Sequence, residues 1–257
     1  MTRKMAVLGF PIEHSLSPII HSKAMDILGI SGSYERFSVN EDELAHFLES
    51  HKNTEWRGFS LTMPLKEEGF RLSEPSDEAS KLTQVSNTLV KSTKGWLSYN
   101  TDVSGFRFLL EDKEYKSVSV LGAGGTARAA LFAVKREVDV IEIYRRNAKN
   151  DALCSNIFPN VVFREWHELS DAFNNQLLVN ATAASANEEI SNYGRQVSIA
   201  IDATYAPWPP PLLAFQEKAM YFSGKDLLVA QALDQISLFH NLTFDKDEMY
   251  KSLRSLI

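Results

Sequence analysis

Cysteine is nearly absent from this 257-residue sequence, which has Cys154 alone. One cysteine can form neither an internal disulfide nor a cysteine metal cluster. The six histidines also lack the spacing, backed by a carboxylate, that is typical of metal ligands. We therefore predict no metal site.

Long apolar runs and excess positive charge are absent too. No apolar run reaches the roughly 18 residues that a membrane helix needs, and the segment 5–9 is too short for the apolar core of a signal peptide. Lysine and arginine number 27 against 33 acidic residues, a net charge of −6, which argues against nucleic-acid or membrane-surface partners. A G-x-S-x-G motif and a phosphate-binding P-loop are also missing. We expect a soluble cytoplasmic protein, a monomer or homodimer, that acts on a small molecule.

The most informative segment that is present is a glycine-rich loop after a β-branched run. The run 117–121 leads directly into Gly122, Gly124 and Ala127, which have the G-x-G-x-x-A spacing of a dinucleotide-binding loop. An alanine-rich helix and a second strand follow, as that motif requires. The helix N-terminus would offer free N–H groups to phosphates. A glycine turn in another kind of α/β unit is the alternative interpretation.

The second strand of this unit indicates which dinucleotide binds. An acidic residue about 20 positions after the loop would favour NAD, but this strand ends in Tyr144-Arg145-Arg146-Asn147, with Lys149 following. Arginine donors suit a 2′-phosphate, so we predict NADP rather than NAD. The alternative is a basic surface turn.

The part of the chain before the glycine loop alternates strands and helices. A buried strand at 5–8 precedes a helix that Ser17 could cap with Pro18 at its first position, and a hairpin near 87–99 leads to Asp102. We predict an α/β protein with an N-terminal α/β substrate domain and a Rossmann dinucleotide-binding domain. The predicted boundaries are 1–102 with 224–257 for the first domain and 103–223 for the second.

Eight sequence blocks, in order and at fitting spacing, resemble the shikimate dehydrogenase family over nearly the whole chain. One block, Ser60-Leu61-Thr62-Met63-Pro64-Leu65-Lys66, is similar to the family's N-V-T-x-P-x-K motif, with Ser60 where asparagine is common. The other blocks are Ser15-Leu16-Ser17, Asn87-Thr88-Leu89, Asn100-Thr101-Asp102-x-x-Gly105, Gly122–Thr126, Asn180-Ala181-Thr182, Asp202-x-x-Tyr205-x-Pro207, and Gly224 through Gln231-Ala232.

The resemblance implies NADPH-dependent, reversible reduction of 3-dehydroshikimate to shikimate, a step of chorismate and aromatic amino acid biosynthesis. It implies Lys66 and Asp102 as the catalytic residues. The implied substrate-binding residues are Ser15, Ser17, Ser60, Thr62, Lys66, Asn87, Asp102, Tyr205 and Gln231. The implied cofactor-binding residues are Gly122, Ala123, Gly124, Gly125, Thr126, Ala127, Arg145, Arg146, Lys149, Thr182, Ala203 and Gly224.

Alternatives remain open for the function of the protein and for the roles of single residues. The protein could be a quinate/shikimate dehydrogenase that uses NAD, or a non-catalytic sensor that binds NADP. Taken alone, Lys66 could be a solvated surface lysine and Asp102 a helix cap. Gln231, taken alone, is most simply a solvated residue on a helix face.

Overall fold

The computed structural model describes residues 3–134, 138–204, 210–216 and 219–257. The chain divides into two compact units, Met1–Gly105 with Leu228–Ile257, and Phe106–Leu227. Both divisions fall inside helices, a few residues from the boundaries predicted from the sequence. The function of each unit stays a prediction. Within the described ranges, the structure contains no helix with the length and apolar character needed to span a membrane.

The strands form two sheets, one in each unit. The first six belong to the first unit and the other six to the second. They are β1 (Arg3–Gly9), β2 (Gly32–Ser38), β3 (Trp56–Leu61), β4 (Glu74–Pro75), β5 (Thr88–Ser92), β6 (Gly95–Tyr99), β7 (Ser117–Leu121), β8 (Val140–Arg145), β9 (Val162–Glu165), β10 (Leu177–Asn180), β11 (Ile199–Asp202) and β12 (Met220–Phe222).

The helices alternate with these strands along the chain. They are α1 (Ser17–Leu28), α2 (Leu44–His51), α3 (Lys66–Arg71), α4 (Glu78–Thr83), α5 (Thr101–Leu110), α6 (Gly125–Ala133), α7 (Asp151–Ile157), α8 (Asn187–Tyr193), α9 (Gly224–His240) and α10 (Lys246–Arg254), with 3₁₀ helices at Trp166–Asn174, Ala184–Ala186 and Pro211–Phe215.

The start of α1 differs from the prediction. Leu16, not Ser17, is the capping residue, no side chain caps this helix, and Pro18 is its second residue rather than its first. Ser17 is instead the first helical residue, and its N–H donates to Oγ of Ser15 at 3.4 Å. Its hydroxyl shares a hydrogen bond with Tyr34. The hydroxyl of Ser17 therefore contacts β2 and does not cap α1.

The sheet of the first unit is mixed, in the order β2-β1-β3-β5-β6-β4. Alternate residues of β1 face opposite sides of it. Ala6 and Leu8 pack in one apolar cluster, while Met5 and Val7 pack in another. Because both faces are covered, the middle strands β1 and β3 are largely buried.

The sheet of the second unit is entirely parallel, in the order β12-β11-β10-β7-β8-β9. The chain enters at β7, runs outward through β8 and β9, and then returns to the other side of β7 through β10. The strand order therefore reverses beside β7, which is the position where open α/β sheets bind ligands. This topology is the Rossmann arrangement that the sequence predicts.

Candidate active site

The sheet of the first unit brings four polar segments to one edge. Strands β1 and β3 are parallel, so the segments that follow them, with Ser15 and Lys66, lie at the same edge. Strand β5 is antiparallel to β3, and β6 is antiparallel to β5. The residue before β5, Asn87, and the residues after β6, ending with Asp102, therefore reach that edge as well.

Lys66 and Asp102 form an ion pair there. Nζ of Lys66 donates to Oδ2 of Asp102 at 2.6 Å, and the two side chains are 21% and 7% exposed. Lys66 begins α3, directly after the fully buried Leu65, which anchors it. Asp102 lies inside the first turn of α5. Lys66 is thus no solvated surface lysine, and the carboxylate of Asp102 faces Lys66 rather than capping a helix.

Asn87 holds the other oxygen of that carboxylate. Its Nδ2 donates to Oδ1 of Asp102 at 2.8 Å, while its Oδ1 accepts from the N–H of Thr101 at 2.8 Å and from the hydroxyl of Thr88 at 2.8 Å. Because its amide is bonded on both sides, Asn87 has one orientation. The carboxylate of Asp102 is therefore held by a cation on one oxygen and an amide on the other.

Gln231 reaches the same cluster from α9, although it is far away in the sequence. Its Oε1 lies 3.2 Å from both Nδ2 of Asn87 and Oγ1 of Thr101, and its Nε2 donates to the carbonyl of Leu228. Gly105 permits this approach, since a Cβ at Gly105 would lie 2.9 Å from the nitrogen of Gln231. The solvated-helix-face interpretation of Gln231 is wrong because the side chain is buried.

The remaining predicted substrate residues lie on the same unit, with one exception. Ser15 and Thr62 are half-buried at the ends of β1 and β3, and Ser17 is buried. Ser60 is buried within β3, where its hydroxyl accepts from Tyr34 at 2.6 Å and donates to Gln235 at 2.8 Å. Tyr205 lies outside the described residues.

Sequence reasoning missed a buried polar group next to these residues. It comprises His21, Tyr34 and Gln235. The ring of His21 stacks on Tyr34, with centroids 4.1 Å apart, and its Nε2 lies 3.2 Å from Oε1 of Gln235. Burial lowers the pKa of His21 to about 3, so this ring is neutral at pH 7. No local sequence signal marks these residues, because each lies on a different element.

The second unit has a cavity of about 220 Å³ over its glycine loop. Gly122 has φ +98° and turns the chain out of β7, and Gly124 precedes α6. A Cβ on Gly124 would meet no atom within 4 Å, so the main chain of the loop borders open space. The cavity is lined by Gly122, Ala123, Gly124, Arg145, Arg146, Asn147, Asn150, Trp166, Thr182, Ala183, Ser185 and Ala186.

The two predicted arginines in this lining differ in their environment. Arg145 is 11% exposed and pairs with Asp151 at 3.0 Å and Glu165 at 2.6 Å. Its pKa is raised, first by Asp151 and then by Glu165. Arg146 is 50% exposed, pairs with Glu189 at 2.9 Å and lies 4.9 Å above the ring of Trp166. Arg146 is thus the more accessible of the two cations.

Other predicted cofactor residues lie around the same sheet edge. Gly125, Thr126 and Ala127 form the first turn of α6, and Thr182 bonds to Oδ1 of Asn180 through both its N–H and its hydroxyl. Ala203 follows β11, and Gly224 lies against the main chain of Ala203 and Thr204. Lys149 is exposed and is not part of the cavity lining.

Several lining residues were not among the predicted cofactor residues, and Asn150 and Trp166 are two of them. Nδ2 of Asn150 donates to the carbonyl of Ala123 at 2.9 Å, which ties the start of α7 to the glycine loop. Trp166 begins the 3₁₀ helix after β9. Both residues lie outside the G-x-G-x-x-A motif, so that motif does not identify them.

Comparison with known proteins assigns the family. The sequence model described as "Shikimate dehydrogenase substrate binding domain" matches residues 7–89. Shikimate dehydrogenase (NADP(+)) of Xanthomonas campestris pv. campestris strain B100 is 30% identical over 270 residues, covering 98% of this chain and 95% of that protein. The chain belongs to the shikimate dehydrogenase family.

Solved structures of shikimate dehydrogenases agree with the fold. The Mycobacterium tuberculosis enzyme aligns with a TM-score of 0.87 at 30% identity, covering 99% of this chain and all of the other. Shikimate 5-dehydrogenase from Thermus thermophilus, in complex with NADP(H) and shikimate, aligns with a TM-score of 0.84 at 27% identity, covering 100% of both chains. The mixed sheet and the Rossmann sheet are therefore both features of shikimate dehydrogenase structures.

Proposed function

We propose that this protein catalyses the reversible, NADPH-dependent reduction of 3-dehydroshikimate to shikimate, a step of chorismate biosynthesis. The observation that carries the proposal is the 2.6 Å contact between Lys66 and the buried carboxylate of Asp102. This pair lies at a sheet edge that also presents Asn87, Gln231 and Thr62. A small ring with several hydroxyls and a carboxylate needs such closely spaced polar groups.

The residues of the second unit fit the cofactor. The helix N-terminus after Gly124 faces open space and suits a pyrophosphate. The accessible guanidinium of Arg146 suits a 2′-phosphate. NADPH, when bound, supplies the hydride that reduces the ketone.

Lys66 has the proton-transfer role in this proposal. In the reduction, its ammonium group donates a proton to the oxygen of the ketone as that oxygen becomes a hydroxyl. In the oxidation, the neutral amine of Lys66 takes the proton from the hydroxyl, and the carboxylate of Asp102 stabilises the ammonium group that forms. Asp102 keeps Nζ of Lys66 in one place, and Asn87 keeps Asp102 in one place.

The other assigned residues bind the substrate. Ser15 and Ser17, beside the N-terminus of α1, would hold its carboxylate, since a helix N-terminus favours anions. Thr62, Asn87 and Gln231 would contact its ring hydroxyls. Tyr205 would contact the carboxylate end. We also propose that the protein acts in the cytoplasm as a monomer or homodimer, which cell fractionation and sedimentation would test.

The test follows the reduction of NADP⁺ at 340 nm with shikimate as substrate. Parallel assays use quinate as substrate and NAD⁺ as cofactor. We expect turnover with shikimate and NADP⁺, and a loss of about 10² or more in kcat for Lys66→Ala. Lys81→Ala, which changes an exposed lysine on α4, is the matched control and should keep wild-type activity.

Two outcomes would contradict the proposal. Turnover with quinate and NAD⁺ in preference to shikimate and NADP⁺ would make the protein a quinate/shikimate dehydrogenase. A folded wild type that binds NADP⁺ tightly but turns over neither pair would support a non-catalytic sensor.

A further inference from the structure

Gln235 is a buried glutamine of α9, one helical turn after Gln231, and it is 1% exposed. Its Nε2 donates to the carbonyl of Asn87 at 3.1 Å and to Oγ1 of Thr88 at 2.9 Å. Its Oε1 accepts from the hydroxyl of Ser60 at 2.8 Å. Because a carbonyl only accepts, the contact with Asn87 fixes the orientation of the Gln235 amide.

These bonds hold Asn87 at two points. Gln235 bonds directly to the main chain of Asn87. It also holds the side chain of Asn87 indirectly through Thr88, whose hydroxyl donates to Oδ1 of Asn87 at 2.8 Å. The amide of Asn87 in turn donates to Asp102. A continuous series of hydrogen bonds therefore runs from Gln235 to the Lys66–Asp102 pair.

A second series runs from Gln235 to the predicted carboxylate-binding end of the site. Ser60 accepts from the hydroxyl of Tyr34 at 2.6 Å, and Tyr34 shares a hydrogen bond with Ser17. All of these side chains are buried. Gln235 therefore joins the segment around Ser17 to the segment around Asn87, which are the two segments proposed to contact opposite ends of the substrate.

The sequence offers a reason for this arrangement. Ser60 stands where the motif that this chain resembles commonly has asparagine, and a hydroxymethyl group is shorter than that side chain and has no amide. Ser60 pairs with Thr88 across β3 and β5, and the amide of Gln235 contacts both side chains. The amide of Gln235 on α9 thus lies beside Ser60, the position on β3 where the motif commonly has the amide of asparagine.

We propose that Gln235 is a positioning residue for the substrate: with Ser60, it replaces the asparagine of the motif and holds Asn87 and Thr88 for ring binding. This inference rests on the proposed function, because it assumes that Asn87 contacts the substrate. It assigns Gln235 to substrate affinity, while hydride and proton transfer stay with the cofactor and with Lys66 and Asp102.

The first test is Gln235→Met, which retains the length of the side chain and removes its hydrogen bonds. We expect KM for shikimate to rise at least tenfold, while KM for NADP⁺ stays within twofold. The matched control is Gln216→Met in the second unit, where a buried glutamine bonds to the main chain of Arg195 and Val197. It should lower the melting temperature without raising KM for shikimate.

The second test exchanges the two side chains. Ser60→Asn alone should reduce kcat/KM for shikimate at least tenfold, because Gln235 and Tyr34 already surround this position. Adding Gln235→Ala to Ser60→Asn should raise kcat/KM for shikimate at least tenfold above that of Ser60→Asn alone. Non-additive effects of this kind are expected of side chains in direct contact. If Gln235→Met fails to fold, this pair of variants still tests the role of Gln235.

An active wild type whose Gln235→Met variant keeps the wild-type KM for shikimate would overturn the inference. Strictly additive effects in the exchange would overturn it as well. Calorimetric binding of shikimate separates these outcomes from failure of the proposed function. A wild type that binds shikimate without oxidising it would contradict the function, and the Kd of Gln235→Met would still test the role of Gln235.

Discussion

The two candidate sites are built in different ways. In the first unit, the site consists of buried and half-buried side chains that bond to one another, as in the contacts among Lys66, Asp102 and Asn87. In the second unit, the cavity is bordered by the main chain of the glycine loop and by an arginine at its rim, Arg146, that is half exposed. Substrate recognition should therefore be sensitive to side-chain changes, whereas cofactor binding should depend chiefly on the shape of the main chain.

The largest expected effect tests the side-chain half of this comparison. Asp102→Asn keeps an oxygen that can accept from Asn87 but removes the charge opposite Lys66. We expect kcat to fall by about 10²–10⁴, with little change in KM for NADP⁺, as measured at 340 nm. Asp234→Asn, which breaks an ion pair with Lys246 in the same unit, should change activity little. Wild-type kcat in Asp102→Asn would contradict the assignment.

A buried network should also make stability depend on pH. Burial lowers the pKa of His21 to about 3 from its ordinary 6.5, and burial lowers that of His240 to about 4. Below pH 6.5 the unfolded chain binds a proton that folded His21 does not. Stability from this residue is therefore complete above pH 6.5 and falls between pH 6.5 and about 3, by at most about 1.4 kcal/mol per pH unit.

Urea unfolding at several pH values between about 7.5 and about 4.5 would measure this slope. His21→Gln retains an amide donor for Gln235 and cannot be protonated, so it should flatten the slope. His240→Gln should act in the same direction. A slope that is unchanged in both variants would show that other groups cause the acid sensitivity.

The main-chain half of the comparison is tested by Gly122→Ala. A Cβ at Gly122 would meet the carbonyl of Ala181 at 3.2 Å, and its φ of +98° is costly for other residues, on the order of 1–2 kcal/mol. We expect KM for NADP⁺ to rise roughly tenfold, a factor equivalent to about 1.4 kcal/mol. KM for shikimate should be unchanged.

Gly29→Ala is the matched control for backbone strain. Gly29 has φ +65°, lies in the first unit and has nothing within 4 Å of its added Cβ. It should lower stability by a similar amount without changing KM for NADP⁺. Equal effects of the two variants on cofactor binding would show that the loss at Gly122 is general destabilisation.

The smallest expected effect separates the two arginines. Arg146→Ala should raise KM for NADP⁺ about fivefold, since a half-exposed ionic contact contributes about 1 kcal/mol, and should leave KM for NAD⁺ unchanged. Arg145→Ala should instead lower the melting temperature, because Arg145 joins Asp151 and Glu165. A larger loss of NADP⁺ affinity in Arg145→Ala than in Arg146→Ala would reverse the assignment.

The elements that the sequence predicted well are those with local causes. The β-branched run before Gly122 is β7, and the hairpin predicted near 87–99 is formed by β5 and β6. The short edge strands β9 and β12 and the last helix, α10, were not predicted. The residues of these two strands are exposed or half-buried, so the strands lack the continuous buried apolar run that is typical of the inner strands of a parallel sheet.

What the sequence by itself determined was the order of motifs and, with them, the family and the parallel Rossmann sheet. These follow from residues whose chemistry depends on their immediate neighbours, such as Gly122 at a positive φ. Only the tertiary structure decided which polar side chains meet. Gln235 lies 148 positions from Asn87 and 175 from Ser60, and Arg145 is paired with Glu165, which lies 20 positions away on β9. Such contacts exist only after strands and helices distant in the chain have packed together, because a hydrogen bond depends on distance and direction rather than on spacing along the sequence.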